Sequence, residues 1–88
     1  MTRNEVNEYA DTLDEQIIVF DNPNFDNSII GISYDNRVIY DYQLMVQDLM
    51  QQDNIEEEDA IDFIDYNTLR SLDYIDKGPI ILFIKGIE

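Results

Sequence analysis

Twenty aspartate and glutamate side chains stand against five lysines and arginines in this chain of 88 residues, a formal net charge of −15. No other feature limits the fold as strongly. Ionised carboxylates stay in water unless they are paired, and five cations can pair only a few of twenty. Any fold must spread most of its acids over the surface and tolerate the self-repulsion that follows. The charge also exceeds the ~2–8 units that keep a small domain soluble. Hydrophobic residues still make up 44% of the chain, enough for a core, so the expectation is a folded domain over residues 1–88.

The same charge narrows the function. Direct nucleic-acid binding needs a basic footprint that releases counterions, and anionic membrane surfaces repel this chain for the same reason. Cysteine and histidine are both absent. That removes disulfides, thiolate metal sites and cysteine nucleophiles, together with the commonest general base and metal ligand. The N-terminal stretch is polar, and the longest apolar run, Pro79 to Ile84, is too short to cross a bilayer. A bacterial, cytoplasmic setting is expected. Residues 22–27 have the look of a calcium loop, but the glycine required at its sixth position is missing and Ser33 stands where a bidentate glutamate belongs. They read as a turn. No cofactor, metal or catalytic residue is expected, and the chain reads as a binding protein, not an enzyme.

Along the chain, Thr2 and Glu5 form a capping box. Val6, Tyr9, Ala10 and Leu13 recur at helical spacing, predicting a first helix over 3–14, with Glu8, Asp11 and Glu15 away from the apolar face. Ile17 to Phe20 reads as a short strand, ended by the turn residues 21–27. Ser28 to Tyr34 and Arg37 to Tyr40 flank Asp35-Asn36, a pattern for a type I′ hairpin. That register sets Ile32 opposite Ile39, Ser33 opposite Val38, and Gly31 opposite Tyr40 to leave room for the ring. Asp41 caps a second helix with Tyr42, Met45, Val46, Leu49 and Met50 buried, and Leu44, Gln47, Asp48 and Gln51 outward. Asn54 and Glu57 can form another capping box, opening a third helix over 55–66 with Ala60, Ile61, Phe63 and Ile64 on its apolar face. Ile80 to Ile84 is apolar throughout, which predicts a central strand buried on both faces. The expected fold is α+β, in the order α-β-β-β-α-α-β: a three- or four-stranded, mainly antiparallel sheet with helices packed on one face.

The densest charge is Glu56, Glu57, Glu58 and Asp59, followed by Asp62 and Asp65. Glu58, Asp62 and Asp65 share a helix face, with neighbours about 5–6 Å apart. Acids in a first helical turn are favoured by the helix dipole, so a solvated, well-capped face accounts for part of this pattern. The functional reading is mimicry. Double-stranded DNA carries one charge per about 3.4 Å along each strand, and a row of carboxylates offers a basic groove a similar field. Tyr66 and Tyr74 flank this helix and join the candidate contact set, because tyrosine is common at binding surfaces. Tyr40 and Tyr42 read as core. Arg70 can neutralise the helix end and pair with Asp65 or Asp73.

Two stretches carry a family resemblance. One is Val38-Ile39-Tyr40-Asp41-Tyr42 with Met45, Leu49 and Met50. The other runs from Glu57 to Leu72 and closes with Gly78-Pro79-Ile80-Ile81. Its most specific piece is Asp65-Tyr66-Asn67-Thr68 with Arg70. Over residues 28–84 the chain resembles small uncharacterised acidic proteins carried by phages and mobile elements of Gram-positive bacteria. In size and charge it is similar to anti-CRISPR proteins. That likeness implies an inhibitor that occupies a basic DNA-binding groove of a host nuclease, such as a CRISPR effector. It transfers no catalytic residue. The competing expectation is a mobile-element adaptor that binds another protein through an apolar and tyrosine patch, with Leu44 as one marker.

Overall fold

The computed structural model describes residues 1–13, 16–21 and 23–83. The expected helix end at Asp14, the strand end at Ile84, and Glu15 and Asn22 lie outside the described residues. Thr2 caps helix α1 (Arg3–Ala10) through the full capping box, the Glu5 amide donating to Thr2 Oγ1 and the Thr2 amide to Glu5 Oε1. The helix is shorter than its periodicity predicts, because Asp11 caps it and the Thr12 and Leu13 amides make tighter turn bonds to Tyr9 and Ala10. Val6 is buried, whereas Tyr9 lies at the surface with its hydroxyl on Asn36.

Ile17 to Phe20 forms no strand. Ile17, Val19 and Phe20 pack on the core as irregular chain, and the Phe20 amide donates to the Tyr40 hydroxyl in place of a ladder partner. A 3₁₀ turn at Asp26–Ser28 leads into β1 (Ile29–Ile32), which pairs antiparallel with β2 (Val38–Asp41). Strand β3 (Ile80–Leu82) joins β2 in parallel, so the order is β1-β2-β3 and the sheet is mixed. The all-apolar β3 is therefore an edge strand and β2 is central. Ile81 turns to the core, while Ile80 and exposed Leu82 share with Ile39 a sheet face outside the core cluster.

The hairpin register differs by one from the expected pairing. A type I′ turn needs positive φ at both central residues, and only Asn36 has it, at 63°. The loop is instead three residues long, closed by the Ser33 amide on Arg37 O and the Asn36 amide on Ser33 O. Ile32 thus faces Val38 and Gly31 faces Ile39, and a bulge then sets Ile29 opposite Tyr40. A Cβ on Gly31 would meet open space, so this glycine does not make room for the Tyr40 ring.

Asp41 caps α2 (Tyr42–Asp53), accepting from the Leu44 amide at 3.1 Å. Met45, Val46 and Leu49 are buried as expected, but so is Asp48. It faces the 3₁₀ turn, where Asn27 and Gln52 donate to its Oδ1. Asn54 ends α2 in the left-handed conformation and so cannot also open the next helix. Glu56 stands at the start of α3 (Glu57–Phe63) without a side-chain cap bond. The helix then continues as a π-helical segment over Ile64–Leu69 and a 3₁₀ turn at Leu72–Tyr74. Parallel pairing of β2 with β3 requires such a crossover, and it carries α2 and α3 onto the core made by Val6, Phe25, Val38, Tyr40, Leu49 and Ile64, among others.

Candidate partner-binding face

Helix α3 buries Ala60, with Ile64 just beyond it, which turns the intervening acids outward. Glu56, Glu57, Glu58, Asp59, Asp62 and Asp65 are all exposed. Three of them occupy the first turn, where the helix dipole offsets part of their repulsion. Among the described residues, the ion pairs join Arg3 to Asp21 and Asp26, and Arg37 to Asp35; none reaches this row. Among the described residues, no cation lies within 4 Å of the acids of α3. Asp65 is tethered, accepting from the Tyr42 hydroxyl at 3.0 Å.

The two candidate tyrosines behave differently. Tyr66 is 69% exposed and lies next to Asp65, and the Arg70 guanidinium sits over its ring at 5.8 Å. Arg70 makes no ion pair with Asp65 or Asp73, contrary to the expectation; its guanidinium lies over the Tyr66 ring instead. Tyr74 is 91% exposed on the separate 3₁₀ turn and has no bond or ring contact with the acidic helix. Tyr40 is buried and Tyr42 half-buried, as expected, with Tyr42 stacked on Phe83 at 4.5 Å. Leu44 is 38% exposed on the polar side of α2.

Several structurally important groups carry no strong sequence signal. Arg3 clasps Asp21 and Asp26, tying α1 to the loop before β1. The bond to Asp21 is the main cause that holds the guanidinium above its ordinary pKa. The Arg37 Nε–H donates to Gly78 O at 2.7 Å, pinning the hairpin to the approach to β3. Buried Asp48 was masked by a helical spacing that fits either face; its i+4 relation to Gln52 was the available hint.

Among the described residues, no group of three or more acidic side chains is arranged to hold a metal ion, and no helix is long and apolar enough to cross a membrane. In comparisons with known proteins, no family model, curated protein or solved structure matches this chain.

Proposed function

We propose that this chain is a non-catalytic inhibitor of phage or mobile-element origin, an acidic nucleic-acid mimic that occupies the basic DNA-binding groove of a host nuclease of the CRISPR-effector kind. The observation that carries this reading is the row of acids from Glu56 to Asp65, exposed and without a cation partner among the described residues. Leaving like charges side by side costs a few tenths of a kcal/mol per pair, a cost that a basic partner would reverse. Long-range attraction would raise the association rate, and carboxylates desolvated against arginine or lysine would supply specificity. The site of action in this reading is the bacterial cytoplasm, where such nucleases work.

The test measures target-DNA binding by candidate RNA-guided nucleases with this protein added, across ionic strength. Inhibition that weakens steeply with salt, and that falls in the E58Q/D62N/D65N variant, supports the reading. Salt-insensitive inhibition, or none with any such enzyme, sinks it.

A second reading is a mobile-element adaptor that binds through an apolar patch. It draws on Ile30 and Leu82, both more than 40% exposed on strands of the sheet. In that case the three amide substitutions leave partner binding intact, whereas L82E abolishes it.

A further inference from the structure

A cleft of about 230 Å³ opens between the loop around Pro23 and the π-helical segment, with Phe20, Pro23, Phe63, Asn67, Ser71 and Asp21 in its lining. Its walls are of two kinds. Phe20, Pro23 and Phe63 supply apolar and π surface. Of the polar side chains, Asn67 Nδ2 donates one of its two N–H groups to Phe63 O at 3.2 Å, the Ser71 hydroxyl donates to Thr68 O at 2.7 Å, and Thr68 adds its own hydroxyl to the lining. They offer a guest acceptors, the Asn67 amide oxygen and the Ser71 lone pairs, beside the second Asn67 N–H and the Thr68 hydroxyl. Asp21 adds a carboxylate that Arg3 holds through Oδ1, yet its side chain stays 77% exposed.

A guest that brings N–H donors, positive charge and a flat face engages these acceptors, the exposed side of the Asp21 carboxylate and the rings together. Guanidinium combines all three, with five donors and a planar surface that stacks on aromatics. An ammonium is a strongly hydrated point charge without a face. The volume suits one long side chain, since pockets for drug-sized ligands run to about 300–1,000 Å³.

We propose that this cleft is a recognition pocket for a single arginine side chain of a partner protein. The proposal rests on the basic-partner reading above and names the side chain that a basic groove would insert. Phe63 is the last residue of α3, so the cleft opens beside the acidic row, with Asp59 one turn earlier on the same side of the helix. An arginine seated here sets the partner's neighbouring cations along that row. The π-helical segment, a feature concentrated at functional sites, carries Asn67 and Thr68 to the cleft.

The experiment titrates nitrogen-labelled protein with acetyl-Gly-Arg-Gly-amide, and with the same peptide carrying lysine or citrulline, the neutral isostere. The arginine peptide is expected to shift the backbone signals of Phe63, Asn67, Thr68 and Ser71 saturably, with affinity about tenfold above either control, the scale of a desolvated cation–π contact. Equal responses to arginine and lysine, or shifts confined to Glu56–Asp62, overturn the proposal. An S71R variant that keeps its circular dichroism should lose the peptide, because its own guanidinium fills the cleft; wild-type affinity in that folded variant also overturns it. Peptide titration and nuclease inhibition are read in separate assays, so failure of the pocket and failure of the inhibitor reading are distinguishable.

Discussion

The Tyr42 hydroxyl donates to Asp65 Oδ1 at 3.0 Å, joining the first turn of α2 to the π-helical segment that follows α3. Burial pushes this phenol up, and the bond to Asp65 and its charge push it further, to about 12. A folded pKa above the unfolded one favours the neutral phenol in the fold. The stabilisation is fully present below pH 10, where the unfolded phenol titrates, and is lost as pH rises through about 12. Tyrosine ring signals followed by NMR against pH should show Tyr42 ionising late. D65N should lower its midpoint, yet leave it above the ordinary value because burial persists. An unchanged midpoint in D65N would remove Asp65 from this account.

Asp41 gives the clearest case of local structure readable from residue type. Its side chain accepts from the Leu44 amide at the start of the longest helix. D41A should cost about 1 kcal/mol, as loss of a cap usually does, while D41N should retain most of the stability because asparagine caps equally well. Urea unfolding of both variants measures the difference. Equal losses would show that the negative charge matters here and the cap geometry does not.

How far the chain could be read follows from the range of the forces involved. Thr2 with Glu5, and Asp41 with Leu44, act within one helical turn, and both caps are legible in the sequence. The α2 core stripe of Met45, Val46 and Leu49 is legible for the same reason. The hairpin register was not, because one left-handed residue, Asn36, and one bulge after Ile29 each displace the pairing, and either is compatible with the same residues. The position of β3 at the edge depends on a parallel pairing some 40 residues away from β2, which an apolar run alone does not encode. The exposure of Glu56 to Asp65 was legible from charge. The cleft beside Phe63 was not, since it depends on the loop at Phe20 meeting a π-helical segment that no periodicity announces.

Tyr40 tests whether a single hydroxyl organises the segment that looks like a strand but forms none. Its ring is fully buried against Phe20, and its oxygen is the acceptor for the Phe20 amide at 3.1 Å. Y40F keeps the ring and removes the acceptor, leaving a half-buried N–H without a partner. The expected loss is about 1–3 kcal/mol, together with faster hydrogen exchange at Phe20 than in the wild type. Unchanged exchange would mean that apolar packing of Ile17, Val19 and Phe20 alone holds this stretch.

Self-repulsion should make this protein more stable in salt. The radius of gyration is 13.2 Å, smaller than the Debye length of about 30 Å at 0.01 M salt, so at low ionic strength every carboxylate acts on the others. Raising NaCl to about 0.5 M confines each charge to its neighbours. The opposing loss is small, because the described ion pairs centre on Arg3 and Arg37 and surface pairs contribute little. A gain of even 1 kcal/mol would raise the melting temperature by about 4–8 °C in a domain of this size. The E58Q/D62N/D65N variant removes three carboxylates from one face, so its melting temperature at low salt should exceed that of the wild type and its salt dependence should be shallower. If the proposed inhibitor reading holds, the same variant also loses inhibition of the nuclease, which separates charge kept for binding from charge kept for stability. A melting temperature that falls with salt would show that the Arg3 and Arg37 pairs outweigh the repulsion and would remove the energetic basis for an acidic face awaiting a basic partner.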